Sequence, residues 1–411
     1  MLEVLVFITF LGLLISNRRG MGVVNPFQIY FLIWFLLIFG YYLSAANFIP
    51  VSFEFLLLIL TAKAAAFLIL LVIGTLRLNS SKLTHTAITI APRDRLLLIA
   101  QISTWIAMPF AYQQANSLSG GADIFTVQGY MQLRGAMTDE GQGFGLLSYF
   151  STLSYVISSI RCLVYARDRS GKLLLILALA TSLFFAYIGT GRTGVLLLVV
   201  LIVIPLMMLR LIGAKGVWIS FASLIGMFLL VAAMTAKGIS VEAGFIENIE
   251  SLFQNLRGYT IAPFLAFSQL EASGLPVSGG VNSFRFLIAL VSAAGVLGIE
   301  PVALIRGYAF VPDPTNVYTV YDVYFRDFSY FGVVVPPFFL IVHWWLYRRS
   351  MRFGSRWIFY YSASVYPLVM QFFQDQYLSL LSTWLQIGFW YWIFLQSPRQ
   401  SQKYLSNRRF T

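Results

Sequence analysis

The chain has 411 residues, of which 59 % are hydrophobic and 11 % are charged, and its formal net charge is +12. Soluble globular chains carry about 45–50 % apolar and about 25 % charged residues, so this composition excludes the common soluble enzymes as well as disordered proteins. The apolar runs are long and continuous instead of alternating, which also excludes an outer-membrane barrel. The composition predicts an all-α polytopic integral membrane protein.

The apolar runs give the predicted transmembrane helices in chain order. A helix needs roughly 20 apolar residues to cross about 30 Å of hydrocarbon, and about eleven runs meet this requirement. They are 1–16, 26–44, 53–77, 96–116, 144–166, 172–188, 193–212, 217–237, 328–347, 357–374 and 378–396. The first run is followed by Arg18 and Arg19, which predicts an anchor and not a cleaved signal peptide. Residues 1–396 are thus predicted to form one helical domain, followed by a basic cytoplasmic tail at 397–411.

Basic residues alternate between the loops and predict the orientation. The loops on one side hold most of the arginines and lysines, with only Asp94 and Asp168 as acids. The positive-inside rule places this side in the cytoplasm, so the N-terminus is predicted outside and the C-terminus inside. A twelfth span at 284–299 would move the basic segment Arg348–Arg356 outside. We therefore predict a re-entrant or surface helix at 284–299.

Two external regions, 117–143 and 238–327, hold most of the acids and are large enough for a functional site. Within the second region, apolar residues at helical spacing predict an amphipathic helix over 245–256 that lies on the outer leaflet. Arg257 follows this helix. Its positive charge either interacts favourably with the helix dipole at the C-terminal end, or its side chain points into a groove.

A glycine-rich turn from Gly189 to Gly194 lies on the external side between two spans. Its glycines expose backbone N–H groups, and Arg192 stands where the next helix begins, which suits a phosphate or pyrophosphate oxyanion. A tight turn with an interfacial arginine is the alternative. Arg134, which precedes Asp139 and Glu140 in the first external region, is a further candidate that a solvated loop explains equally well.

The stretch from Arg306 to Gly332 interleaves charges, amides and aromatic rings just outside a span. Sugar hydroxyls need carboxylate and amide partners, whereas the C–H faces of a pyranose need aromatic rings. The candidates in this stretch are Arg306, Asp313, Asn316, Tyr318, Asp322, Arg326 and Asp327. The alternatives are an ordinary helix-surface pair between Asp322 and Arg326, and a turn at Asp313.

Few other residues offer chemistry. Lys63 lies roughly ten residues into the third span, where a charge is costly and is a functional candidate by default. It either snorkels outward or adds positive charge at the bottom of the external cavity. Cys162 is the single cysteine, and His85 and His343 fall at cytoplasmic positions. We therefore predict no cofactor and no zinc site. An external base would have to be Asp, Glu or Tyr. Binding of a divalent metal ion by the external acids remains an alternative.

These features resemble those of bacterial O-antigen polymerases, which are oligosaccharide repeat-unit polymerases. The architecture of about eleven spans with a dominant late external loop extends over most of the chain. The turn from Gly189 to Gly194 is one local likeness. The other is Pro314–Thr319 followed by Tyr324–Gly332, which looks like the family's Asn/Thr stretch and its Asp-Phe-Gly-x-x-Gly end. Ser329 stands in place of the first glycine of that end.

The resemblance implies a GT-C-like fold in the bacterial inner membrane, with the active site facing the periplasm. Such enzymes move a growing glycan from one undecaprenyl pyrophosphate carrier to the non-reducing end of a lipid-linked repeat unit. Asp313, Asp322 or Asp327 would act as the base. Direct displacement makes inversion the simplest outcome, without a metal. The implied pyrophosphate- and substrate-binding residues are Arg134, Arg192, Arg257, Arg285, Arg306, Arg326, Lys63, Asn316 and Tyr318.

The implied partners are the lipid-linked oligosaccharides, the bilayer and a membrane chain-length regulator, and no nucleic acid. Three other functions remain alternatives. An O-antigen ligase relies on an external histidine, which this sequence lacks. A flippase or other transporter needs a polar path through both leaflets, yet intramembrane charge is nearly limited to Lys63. A membrane acyltransferase also uses an accessible histidine, and both histidines are misplaced for work at the outer face.

Overall fold

The structure is a computed structural model, and the chain in it is mostly helical. It describes residues 1–18, 24–75, 92–138, 140–213, 215–216, 226, 245–296, 298, 300–303, 305–312, 314–354 and 356–396. The helices are α1 (Leu2–Arg18), α2 (Pro26–Ser44), α3 (Phe53–Thr75), α4 (Asp94–Leu118), α5 (Val127–Thr138), α6 (Ser148–Asp168), α7 (Lys172–Ile188), α8 (Arg192–Met208), α9 (Phe245–Ala272), α10 (Arg285–Ala293), α11 (Tyr321–Phe328), α12 (Val335–Phe353), α13 (Arg356–Met370) and α14 (Leu381–Phe394).

Within the described ranges, the strands β1 (Ala309–Phe310) and β2 (Pro314–Thr315) pair antiparallel, and the all-α class predicted from composition is confirmed. Five described segments are long and apolar enough to cross a membrane. They are Pro26–Asn47, Phe53–Ile73, Asp94–Leu118, Gly145–Asp168 and Tyr321–Phe353. The number of about eleven spans and their orientation stay predictions. The predicted run 217–237 lies, apart from one residue, outside the described part of the chain.

The chain divides into two compact units. The first unit comprises Met1–Thr84, Asn255–Arg348 and Pro367–Ser382, and the second comprises His85–Gln254, Arg349–Tyr366 and Thr383–Thr411. The single helical domain expected over 1–396 stays a prediction. The tail at 397–411 lies outside the described residues.

Local chemistry explains where several of the helices begin. Asn25 caps α2, since its side chain accepts a hydrogen bond from the backbone N–H of Gln28 over 2.8 Å. Pro26 follows at the first helical position, where its missing N–H costs nothing. In the second unit, Gly191 adopts an extended conformation and α8 begins at Arg192, so the helix start predicted at the glycine-rich turn is confirmed.

The helix predicted over 245–256 is the first part of a longer helix. α9 continues to Ala272, so Arg257 lies inside it, and the interpretation that Arg257 answers a dipole at a helix end is wrong. The continuation follows from packing. The rings of Phe264 and Phe267 are buried against Phe55 of α3, with ring centroids 4.9 and 5.5 Å apart. This burial favours helix well beyond the point where the amphipathic pattern ends.

The segment around α10 is consistent with the absence of a span there. α10 has nine residues, from Arg285 to Ala293. At about 1.5 Å per residue it rises less than half of the roughly 30 Å that a span must cross.

A tight corner joins α11 to α12. α11 ends at Phe328, because Ser329 takes φ +53° and ψ −139°, which is not helical. A 3₁₀ turn over Ser329–Val334 then leads into α12. Within this turn a Cβ on Gly332 would stand 2.0 Å from the carbonyl oxygen of Tyr324. The corner therefore requires glycine at position 332, because any side chain would collide with the backbone of α11.

Candidate active site

A carboxylate held between two arginines forms the centre of the candidate site in the first unit. The Nε atom of Arg306 donates to Oδ2 of Asp322 over 3.0 Å, and the Nε atom of Arg326 donates to Oδ1 over 2.6 Å. The Asp322 side chain is 6 % exposed, whereas those of Arg306 and Arg326 are 18 % and 21 % exposed. The guanidinium groups thus remain accessible while the carboxylate between them is shielded.

Both arginines keep hydrogen-bonding capacity. Among the described residues, no hydrogen bond engages the terminal Nη atoms of Arg306 or Arg326. The Arg326 guanidinium also lies 5.6 Å from the ring centroid of Tyr318. A planar guanidinium with free terminal nitrogens suits two-point contact with a phosphate oxygen pair.

Two cavities meet at this cluster. The polar cavity has a volume of ≈ 30 Å³ and is lined mainly by charged and polar side chains. The wide cavity has a volume of ≈ 320 Å³ and has a largely apolar wall. The polar cavity's lining includes Asn282, Arg285, Arg306, Asn316, Tyr318, Asp322, Gln374, Asp375 and Ser379. The wide cavity's lining includes Leu275, Pro276, Val281, Asn282, Val302, Arg306 and Arg326.

Five of the residues predicted from the sequence therefore line the polar cavity: Arg285, Arg306, Asn316, Tyr318 and Asp322. The Tyr318 hydroxyl donates to the carbonyl of Gly307 over 3.1 Å, which ties the ring to the Arg306 segment. The Nε atom of Arg285 donates to the carbonyl of Val302. Partial burial and the nearby Arg306 both lower the pKa of the Arg285 guanidinium. Burial is the larger cause of this lowering, and the charge of Arg306 is the smaller one, which a bound anion would offset.

Asp327 has a different environment from Asp322. It is fully buried, and its carboxylate accepts hydrogen bonds from Asn282 N, Asn282 Nδ2 and Ser283 N over 3.1, 2.8 and 2.6 Å. It does not line either of the two cavities. Its contacts fix the start of the segment that leads to α10, which is a structural task. Its catalytic assignment stays a prediction that these contacts do not favour.

Asp375 is a site residue that the sequence analysis did not single out. It lies in the turn between α13 and α14, and it lines the polar cavity. Its carboxylate accepts from the Tyr324 hydroxyl over 3.0 Å, from Tyr377 N over 3.1 Å, and from Ser379 N and Oγ over 2.9 and 2.7 Å. Burial raises the pKa of the Asp375 carboxyl, while these hydrogen bonds act in the opposite direction. The available signal was an acid in a very short turn, predicted to be external, between two apolar runs.

Lys63 is fully buried, so the interpretation that it snorkels outward is wrong. Its Nζ atom donates to the hydroxyls of Tyr321 and Tyr30 over 2.8 and 3.2 Å and lies 3.0 Å from the ring centroid of Trp34. Lys63 is not among the residues that line the two cavities. A role at the bottom of the external cavity stays a prediction, and its partner Tyr321 directly precedes Asp322.

The glycine-rich turn and Arg134 belong to the second unit. Thr190 adopts a left-handed conformation with φ +50°, and its carbonyl lies 3.5 Å from the Tyr130 hydroxyl, which donates to it. Arg134 lies in α5 and is half-buried, so the alternative of a solvated loop is wrong, because this segment is helical. Asp313 and the side chains of Arg192 and Arg257 lie outside the described residues, so their assignments stay predictions.

No group of three or more His, Cys, Asp or Glu side chains in the described residues could hold a metal ion.

No protein-family model matches the chain, and no solved structure matches it. A protein of Escherichia coli strain K12, described as a "Putative O-antigen polymerase", is 26 % identical over 188 residues. The match covers 43 % of this chain and 47 % of that protein, so the chain spans about half of its relative's length. This partial likeness, together with the membrane-like helices, supports a polymerase-like role.

Proposed function

We propose that this protein is a glycosyltransferase that polymerises lipid-linked oligosaccharide repeat units at the outer face of the bacterial inner membrane. The observation that carries the proposal is the Arg306–Asp322–Arg326 cluster, which stands where the polar cavity and the wide cavity meet. The partial likeness to a polymerase-named protein supports the same reaction class.

The two cavities suit the two ends of such a reaction. The wide cavity combines Arg306 and Arg326 with the apolar side chains of Leu275, Val281 and Val302. That mixture suits an undecaprenyl pyrophosphate, whose anionic head is joined to a hydrocarbon chain. The polar cavity, at ≈ 30 Å³, has room for a single hydroxyl group and not for a whole sugar ring, and its carboxylates and amides suit the hydroxyl of the acceptor.

The transfer step is a direct displacement at the anomeric carbon of the donor glycan. The acceptor hydroxyl oxygen forms a bond to that carbon while the bond to the pyrophosphate oxygen breaks, and the electron pair leaves with the pyrophosphate. Arg306 and Arg326 stabilise the charge that develops there. The acceptor proton goes to a carboxylate. One displacement inverts the anomeric configuration, and no metal is invoked.

Asp322 is the proposed base. When pyrophosphate engages Arg306 and Arg326, their hydrogen bonds shift from the carboxylate to the phosphate oxygens, and Asp322 can then accept the proton. Asp375 is the other carboxylate in the polar cavity, but its two oxygens already accept four hydrogen bonds. Arg134, Arg192 and Arg257 are retained as proposed contacts to the carrier or glycan, and a membrane chain-length regulator as a proposed partner.

The test replaces Arg306 and Arg326 singly by Ala in a strain whose surface glycan depends on this protein. Arg95→Ala, which removes an exposed arginine at the start of α4 in the second unit, is the control. Surface glycan is separated on a gel. We expect the control to keep its ladder, and each site variant to lose long chains but retain single repeats. Removing one such charge stabiliser costs about 10²–10³-fold in rate.

The other outcomes are informative. A normal ladder from both site variants, at normal protein levels, would remove the assignment of this cluster. Loss of all surface sugar, including single repeats, would indicate a flippase or a ligase instead of a polymerase.

A further inference from the structure

Lys63 lies in an aromatic cage inside the first unit. Its Nζ atom stands 3.0 Å from the centroid of the Trp34 ring and donates to the hydroxyls of Tyr30 and Tyr321. The two hydroxyls are 3.3 Å apart. Within the described residues, no carboxylate forms an ion pair with Lys63. Burial of an amine is costly unless it is hydrogen-bonded, and here the Trp34 ring and two hydroxyl oxygens take the place of the lost water.

The cage is joined to the candidate active site through consecutive residues. Tyr321 is the first residue of α11 and Asp322 is the second. A second tether holds the preceding residue, because the backbone N–H of Val320 donates to the carbonyl of Gln371 over 2.9 Å. The Gln371 side chain in turn accepts from Nε1 of Trp34 over 2.7 Å. Trp34 therefore touches both Lys63 and the tether.

These contacts fix the start of a short helix. α11 has eight residues, so its own hydrogen bonds hold it only weakly in place. Lys63 on α3, together with Tyr30 and Trp34 on α2, anchors the Tyr321 hydroxyl at the far end of a rigid ring. Tyr321 is the residue immediately before Asp322, whose carboxylate bridges Arg306 and Arg326. If position 63 served only packing, an apolar side chain would be sufficient. Orienting the Tyr321 hydroxyl requires a hydrogen-bond donor, which Lys63 provides.

We propose that Lys63 is a positioning residue for the glycosyl-transfer reaction, acting through the Tyr321 hydroxyl to set the place of Asp322. The inference rests on the proposed function. Lys63 affects only where Asp322 lies and does not itself bind substrate, since it lines neither cavity. Displacement of a catalytic group by about 1 Å can cost about 100-fold in rate, so loss of the anchor is expected to lower turnover more than substrate affinity.

The test is a double-mutant cycle with purified, reconstituted full-length protein. Lys63→Met, Tyr321→Phe and the double variant are compared with wild type and with Thr61→Val. Thr61 is an exposed residue of α3 whose hydroxyl bonds only to the carbonyl of Leu57 within its own helix, so it is a matched control. The probe is the lipid-linked repeat unit extracted from a strain lacking this protein, and the readouts are kcat, KM and thermal stability.

We expect kcat to fall about 10–100-fold in each single variant, with KM within about threefold of wild type. The double variant should be no worse than the poorer single variant, because both changes break one connection. Multiplicative losses, or wild-type kcat in Tyr321→Phe, would overturn the inference. Tyr321→Phe removes one hydroxyl only, so it remains informative if Lys63→Met does not fold. Absence of polymerisation by the wild type would instead reject the proposed function itself.

Discussion

Arg326 donates its Nε hydrogen bond to Oδ1 of Asp322 over 2.6 Å from one turn further along α11. The sequence offers this spacing as an ordinary surface pair, and the pair does form. Its setting is not that of a surface pair, because Asp322 is 6 % exposed and Arg306 engages its other oxygen. The pair therefore forms as the structural interpretation has it, and its burial beside Arg306 supports the proposed function.

Asp322→Asn is expected to lower kcat at least about 100-fold, because the amide keeps the shape of the side chain but cannot accept the proton. Steady-state rates with lipid-linked repeat units measure the effect. Asp94→Asn, which changes an exposed acid in the second unit, is the matched control and should retain wild-type rates. Wild-type turnover in Asp322→Asn would exclude Asp322 as the base and shift attention to Asp375.

Asp327→Asn is expected to act on stability instead of turnover. The substitution replaces one carboxylate oxygen by N–H₂, which would then face either the two Asn282 donors at Oδ1 or the Ser283 N–H at Oδ2. Hydrogen bonds to a charged group contribute about 1.5–3 kcal/mol each, so we expect a clear fall in the thermal unfolding temperature in detergent. A variant with an unchanged unfolding temperature and a severe loss of kcat would place Asp327 in the chemistry.

Ser329→Gly is expected to stabilise the protein by about 1 kcal/mol. Ser329 has φ +53° and ψ −139°, a conformation that costs a residue with a Cβ about 1–3 kcal/mol. Glycine relieves this strain but adds freedom to the unfolded chain, which offsets part of the gain. Ser329→Ala, which keeps the Cβ, is the control and should show no gain. Equal unfolding temperatures for the Gly and Ala variants would contradict the prediction.

Gly332→Ala is expected to destabilise the corner after α11 by about 1–3 kcal/mol and to lower activity. The new Cβ would lie 2.0 Å from the carbonyl oxygen and 2.3 Å from the carbonyl carbon of Tyr324, so the backbone that follows Asp322 must move. Gly388→Ala in α14 is a matched control, because a Cβ there meets nothing within 4 Å. Thermal unfolding and initial rates of both variants test the prediction.

The sequence predicts the long apolar helices of the described chain, because each depends on a local property, whereas α5 over Val127–Thr138 was not predicted. A long apolar run must satisfy its own backbone hydrogen bonds, which gives α2, α3, α4 and α6 near their predicted bounds. The continuation of α9 to Ala272 was not predicted. It depends on Phe264 and Phe267 packing on Phe55, and a residue two hundred positions away leaves no periodic signal.

Composition alone determines that this chain is helical and membrane-like, and the mixture of charges and aromatic rings in 306–327 is the feature from which a glycan site there is proposed. Only the tertiary structure decides that Asp322 lines a cavity whereas Asp327 does not, that Asp375 joins Asp322 there, and that Lys63 is enclosed by Tyr30, Trp34 and Tyr321. The physical reason is the distance along the sequence over which each interaction acts. Burial and helix length follow from neighbouring residues, whereas a hydrogen bond between groups on separate helices exists only once those helices have packed.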